Sequence, residues 1–383
     1  MNLIEAIEKG QRGESKGLDM GIPGLNKVTG GIHQKSVYVV ASAPKVGKST
    51  LVDYSFVISP YMEWLKFTEE NNGVEPYPLK WIYYSFEVDR IQKEFKFAAH
   101  FMYKDHGIFD FMYEGKRYEM NSEYLQGKKV DENGKVILLT EDHKLKLLQV
   151  YQDRIIPLFG EYDGTGKQIK SGKIKFIEEK VNPTGIRNDL IRNVAQRNGQ
   201  EVYENFTVIE NGTEVTKHKV IGYKPTNPKS RFIIIIDHVR KIPRERGFSM
   251  KENIDKTSEY VVEMRNLYGF TFVIIAHSNR NLADPNRKRE AGEYLFTTAD
   301  DIKDSGNLSE DADYVFTMFN PNDEKFNLDK HFGIPLKDEQ DNLLHPSYRS
   351  IHLVESRHTI CPAHIQTDMF GGVNYFSPLR TTF

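Results

Sequence analysis

Val37-Tyr-Val-Val-Ala-Ser-Ala-Pro-Lys-Val-Gly-Lys-Ser-Thr50 is the stretch of the chain that decides the fold. Its first four residues are apolar and mostly β-branched, which is typical of a buried parallel strand. The remainder has the pattern of a phosphate-binding loop, in which backbone N–H groups and the N-terminus of the next helix bind phosphate oxygens. The stretch therefore predicts an α/β protein that binds a nucleoside triphosphate.

The loop supplies a set of candidate nucleotide-binding residues. Lys48 brings a positive charge to the β- and γ-phosphates, and Ser49 offers a hydroxyl oxygen to Mg²⁺. Ser42 stands where the full pattern G-x-x-x-x-G-K-[ST] has its first glycine, so an ordinary strand–turn–helix connection is the alternative. The predicted nucleotide-binding residues are Ala43, Pro44, Lys45, Val46, Gly47, Lys48, Ser49 and Thr50.

The composition limits the class of protein. The chain has 383 residues, of which 39% are hydrophobic, so it can bury a sizeable core. Its net charge of −2 argues against a generally basic surface that coats nucleic acid, although not against a local basic groove. A single cysteine excludes an intrachain disulfide and indicates a reducing compartment. Without a signal-peptide pattern or a long apolar run, we expect a cytoplasmic protein that does not enter a membrane.

Strand and helix patterns alternate along the chain, which predicts a mostly parallel, twisted sheet with helices on both faces. The strongest strand patterns are at 81–86, 232–236 and 270–276, with further strands at 173–177, 313–318 and 350–355. Residues 1–20 are predicted to form a short helix and a linker. Residues 21–383 are predicted to form one α/β domain, interrupted by hairpin-containing insertions at about 104–172 and 199–228.

Polar side chains follow three of the predicted strands, at the sheet edge where ligands bind in open α/β folds. Asp237 follows four isoleucines and is predicted to hold Mg²⁺ together with Ser49. Glu87 is a candidate general base for an attacking water, and His277 a candidate sensor of the γ-phosphate. The alternatives are an aspartate that caps a turn, a surface glutamate that starts a helix, and a structural histidine.

Two basic clusters follow the last two of these strands. Both lie in segments rich in glycine, proline and asparagine, which predicts loops that could contact nucleic-acid phosphates without reading the base sequence. The alternative for either loop is an ordinary solvated surface. The first cluster is Arg240, Lys241, Arg244, Arg246 and Lys251, and the second is Arg280, Arg287, Lys288 and Arg289.

Together these motifs resemble the RecA-type motor domain of DnaB-like replicative helicases, from about residue 17 to the C-terminus. Ala43-Pro-Lys-Val-Gly-Lys-Ser49 is similar to the family's Walker A loop, which also tolerates the missing first glycine. Tyr84-Ser-Phe-Glu-Val88 is similar to the segment with the catalytic glutamate, and Ile236-Asp-His to Walker B. The most specific match is the segment 301–313, Asp-Ile-Lys-Asp-Ser-Gly-Asn-Leu-Ser-Glu-Asp-Ala-Asp.

The resemblance implies an ATP-dependent DNA helicase or translocase, with ATP and Mg²⁺ as cofactors, that works as a hexameric ring on single-stranded DNA in replication. It implies catalytic roles for Lys48, Glu87, His277 and Arg357, the last as an arginine finger that reaches a neighbouring subunit's nucleotide. Glu355 stands where the family has a lysine, and His277 where it has a glutamine. These two departures affect the expected coupling between subunits rather than nucleotide binding.

Since about twenty residues precede the motor, we expect the family's N-terminal primase-binding domain to be missing. Any primase or loader is therefore expected to use another surface, such as the insertions. By analogy, a compact motor of this kind suits a viral replication system in a host cytoplasm. One alternative is a nucleotide-switched DNA-binding scaffold or accessory ATPase with little unwinding activity, and a weaker one is a packaging ATPase that acts on duplex DNA.

Overall fold

The computed structural model describes residues 3–11, 16–210, 213–278, 284–302, 306–323, 325–326 and 328–382. A nine-stranded sheet forms the centre of the molecule. Its strands are β1 (Val37–Ser42), β2 (Leu79–Ser85), β3 (Ile174–Ile177), β4 (Arg231–Asp237), β5 (Thr271–His277), β6 (Tyr314–Phe319), β7 (Tyr348–Ser356), β8 (Ala363–Phe370) and β9 (Tyr375–Thr382).

The order of the strands across the sheet is β9-β8-β7-β6-β1-β5-β4-β2-β3. The six strands from β6 to β3 run parallel, and β7, β8 and β9 extend the sheet as antiparallel neighbours. The predicted fold class, a mostly parallel α/β sheet of RecA type, is confirmed. No strand is predicted after residue 355, whereas β8 and β9 of the sheet lie in that part of the chain.

Helices cover the sheet and connect its strands. Single π-helical turns at Tyr54–Ile58, Tyr151–Ile155 and Ile191–Ala195 interrupt longer helices, and short 3₁₀ turns occur at Val239–Lys241, Gly292–Tyr294, Ala299–Asp301 and Gly371–Val373. The α-helices of the described residues are Leu3–Gln11, Pro23–Thr29, Lys48–Asp53, Ser59–Glu70, Arg90–His106, Ser122–Leu125, Glu141–Val150, Ile156–Phe159, Pro183–Leu190, Gln196–Asn198, Met250–Tyr268, Pro285–Ala291 and Gly306–Asp311.

The sheet separates two hydrophobic cores. Alternate residues of a strand point to opposite faces, so the isoleucines of β4 divide between them. Ile233 and Ile235 belong to the core that packs under the helices Lys48–Asp53 and Arg90–His106. Ile234 and Ile236 belong to the core under Met250–Tyr268. Burial on both faces explains why β4 is a continuous apolar run rather than an alternating one.

The ends of the helices are set by local sequence. Ser249 and Glu252 form a capping box at the start of Met250–Tyr268, because each side chain accepts the other residue's backbone N–H. The helix ends at Gly269, whose φ of 75° is in the left-handed region that glycine adopts readily.

The segments predicted as insertions contain short hairpins. Asp110–Tyr113 pairs with Lys116–Glu119, and Gly160–Tyr162 pairs with Gln168–Ser171. A longer hairpin pairs Gly199–Glu210 with Thr213–Pro225, and residues 211–212 between them lie outside the described residues. Within the part of the chain that the structure describes, no helix has the length and apolar character required to span a bilayer.

Candidate nucleotide-binding and catalytic site

The parallel strands bring the predicted site residues to one edge of the sheet. Ser42 at the end of β1 is in register with His277 at the end of β5. Asp237 at the end of β4 is in register with Ser85, two residues before Glu87. The phosphate-binding loop, Glu87, Asp237 and His277 therefore all lie at the carboxyl edge, as the sequence predicts.

A chain of close polar contacts joins the loop lysine to the candidate base. Lys48 Nζ lies 3.2 Å from His277 Nδ1, and His277 Nε2 lies 3.1 Å from His238 Nε2. The same His238 nitrogen lies 3.2 Å from Glu87 Oε1. Two histidines thus span the gap between a phosphate-binding cation and a carboxylate.

The loop between β1 and the following helix has the backbone shape of an anion-binding concavity. Lys45 has a φ of 64° and Gly47 a φ of 120°, so successive N–H groups turn toward one centre. A Cβ atom built on Gly47 would collide with the sulfur of Met369 in β8. Lys48 is buried, and its Nζ lies 3.4 Å from the carbonyl oxygen of Ala43. Pro44 and Lys45 are exposed at the tip.

Burial determines the protonation of the two histidines in this chain of contacts. Desolvation, together with the positive charge of Lys48, lowers the pKa of His277 to about 4. Desolvation likewise lowers the pKa of His238 to about 4 against the opposing effect of Asp237. Both imidazoles are therefore neutral at neutral pH, and each offers one N–H donor and one acceptor nitrogen. The pKa of Lys48 is also lowered by its burial.

Asp237 has the properties of a metal-binding carboxylate. It is buried, and its Oδ2 lies 3.4 Å from the hydroxyl of Tyr83. Its Oδ1 is also buried but has no hydrogen-bond partner among the described residues. A buried carboxylate oxygen without a partner is costly unless a ligand satisfies it, and Mg²⁺ prefers such oxygens. The buried Asp237 carboxylate therefore fits a cation such as Mg²⁺.

Glu87, His238 and His277 form a second group that could hold a cation. One possible ligand atom from each lies within 4.8 Å of the others, in the described part of the chain. However, Lys48 contacts His277, and Lys241 Nζ lies 3.8 Å from Glu87 Oε1. These two positive charges oppose a further cation and favour an anion such as a phosphate group at this position.

Further residues that contact the site were not predicted from the sequence. His238 lies beside Asp237 and links His277 to Glu87. Arg349, at the start of β7, donates from Nε to the Val46 carbonyl oxygen of the loop at 3.2 Å. Lys93 is fully buried and lies 3.7 Å from Asp237. Of these three, His238 had a direct signal in the sequence, because it is next to Asp237 at the end of a predicted strand.

The first basic cluster begins at the same edge. Lys241 ends the 3₁₀ turn Val239–Lys241 and lies near Glu87, while Arg244 and Arg246 are exposed. Glu245 lies between these two arginines and fixes the loop, since it accepts hydrogen bonds from Thr184 and Lys256. The cluster therefore presents cations on a loop with an anchored centre.

The second basic cluster divides into different environments. Arg280 lies outside the described residues. Both terminal nitrogens of Arg287 donate to the carboxylate of Asp301, at 2.6 and 2.7 Å. Lys288 donates to the carbonyl oxygen of Lys325, whereas Arg289 is exposed. In this conformation Arg287 shapes its own loop, and Arg289 is the residue that faces solvent.

Arg357 is not part of this edge. It follows β7, which runs antiparallel to β6, and its backbone N–H donates to the carbonyl oxygen of Asp313 just before β6 begins. Arg357 and the neighbouring Glu355 are exposed at the amino edge of the parallel strands. The candidate arginine finger and the phosphate-binding loop of one chain therefore lie at opposite edges of the sheet.

Comparison with solved structures identifies similar folds. A structure described as an ATPase domain matches with a TM-score of 0.62 at 11% identity, over 99% of this chain and 97% of that chain. A DnaB-like replicative helicase, described with its interactions with primase, matches with a TM-score of 0.61 at 11% identity, over 99% of this chain and 66% of that one. No protein-family model and no curated protein sequence matches. The resemblance to DnaB-like helicase motor domains is confirmed at the level of the fold.

Proposed function

We propose that this chain is the ATPase motor of a DnaB-like replicative helicase, which hydrolyses ATP and moves along single-stranded DNA as a ring. The observation that carries the proposal is the convergence of the loop at 43–50 with Glu87, Asp237 and His277 at one sheet edge. This convergence occurs in a fold that aligns over 99% of the chain with a solved ATPase domain and with a DnaB-like replicative helicase.

The chemistry follows from the positions of these side chains. Lys48 and the loop N–H groups bind the phosphates, and Lys48 then leaves its contact with His277. Glu87 orients the attacking water and accepts its proton. His277 contacts both Lys48 and His238, so it is placed to transmit the presence of a γ-phosphate to Glu87. Asp237 and Ser49 would hold Mg²⁺, which would supply positive charge to the phosphate oxygens.

Ring assembly would complete the site. Arg357 lies at the sheet edge opposite its own phosphate-binding loop, so it can assist hydrolysis only at a neighbouring subunit's nucleotide. In a closed ring, head-to-tail contacts place one subunit's amino edge against the next subunit's carboxyl edge. A hexamer is the assembly that the resemblance implies.

The basic loops would then face single-stranded DNA in the central channel. Lys241, Arg244, Arg246 and Arg289 would supply phosphate contacts, while Arg287 would hold the second loop in shape through Asp301. Among the similar solved structures, one helicase is described with its interactions with primase, and we extend such a partner, or a loader, to the surface of the insertions.

ATPase assays with and without single-stranded DNA test this function. DNA should stimulate turnover, and Arg357→Ala should lose most turnover while it still binds nucleotide. Arg380→Ala, which changes an arginine on the antiparallel strand β9, is the matched control. Turnover that DNA does not stimulate, and that Arg357→Ala leaves unchanged, would overturn the ring motor.

The second candidate is a nucleotide-switched DNA-binding scaffold with little unwinding activity. The observation that favours it is Glu355, an exposed carboxylate two residues from Arg357, where the resembled family has a lysine. An acidic group beside the finger would weaken its approach to a phosphate. Strand-displacement assays separate the two candidates, because a scaffold would bind DNA in an ATP-dependent manner without displacing a strand.

A further inference from the structure

Lys93 lies at the centre of a buried polar cluster behind the candidate metal site. Its side chain has no exposed surface, and its Nζ lies 2.9 and 2.7 Å from the two carboxylate oxygens of Asp53. The same nitrogen donates to the hydroxyl of Tyr83 at 2.7 Å and lies 3.7 Å from Asp237 Oδ2. All three N–H groups of the ammonium are therefore used, and a second carboxylate lies beside them.

The cluster connects three elements that each bring a residue to the site. Lys93 is on the helix Arg90–His106, which begins three residues after Glu87. Asp53 ends the helix Lys48–Asp53 that starts in the phosphate-binding loop, and Tyr83 is on β2 beside the strand that ends in Asp237. A shift of any of these elements would therefore be transmitted to Asp237 through Lys93.

The charges of the cluster are unequal. Lys93 is hydrogen-bonded to Asp53 but lies 3.7 Å from Asp237, and the charges of Lys48 and Lys96 also act on Asp237. The Tyr83 hydroxyl lies between the two carboxylates, 2.9 Å from Asp53 and 3.4 Å from Asp237. The contacts of Lys93 and Tyr83 with Asp237 both involve its Oδ2. Oδ1 of Asp237 has no hydrogen-bond partner among the described residues.

We propose that Lys93 is a positioning residue for the metal-binding carboxylate of the motor, an inference that rests on the proposed function. The charge of Lys93, 3.7 Å away, and the Tyr83 hydroxyl, 3.4 Å away, attract Oδ2 of Asp237 and so leave Oδ1 for Mg²⁺. By pairing with Asp53, Lys93 also fixes the phosphate-binding helix relative to the helix that follows Glu87. Residues that orient a metal ligand commonly affect metal affinity strongly without contacting the metal.

Nucleotide binding measured with and without Mg²⁺ tests the inference directly. The double variant Lys93→Met/Asp53→Asn removes the ion pair as a unit, so no unpaired charge remains from it in the core. Titration with a fluorescent ADP analogue gives the affinity in each condition. The affinity without Mg²⁺ should be retained, while the gain that Mg²⁺ provides should fall about tenfold or more.

Tyr83→Phe is the second variant, because it deletes one hydroxyl and preserves the shape of the core. The gain from Mg²⁺ should decrease in the same direction but to a smaller extent. The control is Arg265→Met, which removes a largely buried ion pair with Asp313 at the amino edge of the sheet. This variant should reduce the melting temperature and keep the full gain from Mg²⁺.

The outcomes separate the two proposals. One outcome is that the wild-type protein gains nucleotide affinity from Mg²⁺ while both Lys93→Met/Asp53→Asn and Tyr83→Phe retain this gain in full. That result would overturn the role of Lys93 and leave the metal site standing. A wild-type protein without any Mg²⁺-dependent gain would overturn the metal site itself and, with it, the role of Lys93. A loss of the gain in both variants but not in Arg265→Met supports the inference.

Discussion

At the scale of single residues, the candidate site is a row of four side chains in contact, namely Lys48, His277, His238 and Glu87. His238 and His277 are neutral at neutral pH because burial depresses the pKa of each. Their ring nitrogens are within hydrogen-bond distance of each other and of Lys48 and Glu87. Withdrawal of Lys48 toward a phosphate would therefore release His277 and alter the hydrogen bonding of Glu87.

Glu87→Gln tests the residue at the end of this row. The amide keeps the shape and a hydrogen bond to His238, but it cannot accept a proton from water. We expect turnover to fall about 100-fold or more, in the range for loss of a general base, while ATP affinity is retained. Steady-state ATPase and equilibrium binding measure the two quantities. Glu75→Gln, a partly exposed carboxylate paired with Lys173, is the control, and equal losses in both would contradict the role of Glu87.

Single residues also show how far the sequence could predict the site. Glu87, Asp237 and His277 were predictable because each follows an apolar run whose end fixes its place at the sheet edge. Lys93 was not, because a lysine on a helix is normally at the surface and its partner Asp53 is forty residues away.

At the scale of elements, the phosphate-binding loop depends on its packing against β8. Gly47 has a φ of 120°, and a side chain there would also meet Met369. Gly47→Ala should therefore abolish detectable nucleotide binding, measured by the same titration. Gly73→Ala is the control. Gly73 also has a positive φ, of 84°, but a Cβ atom there would meet no other atom within 4 Å. The substitution should cost about 1–2 kcal/mol of stability and leave binding intact; loss of binding in Gly73→Ala would contradict this explanation.

The second basic loop offers a pair of arginines with opposite expectations. Arg289 is exposed, so Arg289→Gln should reduce the salt dependence of single-stranded DNA binding by about 0.7 in the log–log slope. Arg287→Gln leaves Asp301 without its bidentate partner and should instead lower the melting temperature. Single-stranded DNA binding measured over a range of salt concentrations gives the slope, and thermal melts give the melting temperature. Identical changes in slope for the two variants would contradict the distinction.

The elements of the sheet differ in how well the sequence predicted them. The parallel strands are buried on both faces and read as apolar runs, so β2, β4 and β5 were located closely. The strands after 360 contain polar residues that are buried, such as Gln366 and Thr367, and this obscured their pattern. The predicted strand at 350–355 is longer in the structure, at Tyr348–Ser356.

At the scale of the whole molecule, buried histidines make stability depend on pH. Burial lowers the pKa of His100 and of His331 to about 4, in addition to His238 and His277. The unfolded chain binds protons below its ordinary histidine pKa of about 6.5, while the folded protein does not until about pH 4. The free energy of unfolding should therefore fall as pH decreases through this window, by about 1.4 kcal/mol per pH unit for each of the fully buried His100 and His331.

Urea denaturation at several pH values within this window measures the effect. His331→Asn should flatten the dependence, because one buried histidine no longer titrates on unfolding. His218→Gln is the control, since His218 is exposed on the long hairpin and should leave the slope unchanged. Stability that rises as pH falls from neutral toward 5 would contradict the assigned protonation.

The opposite placement of Arg357 and the phosphate-binding loop has a consequence for mixtures of defective chains. Both ends of the site are fixed by strands of one sheet, so no loop movement within a chain can unite them. Lys48→Ala chains lack a working loop but keep the arginine, and Arg357→Ala chains have the reverse defect. Each variant should be inactive alone, yet a mixture should regain part of the ATPase activity through complementation. A mixture as inactive as its components would contradict shared sites.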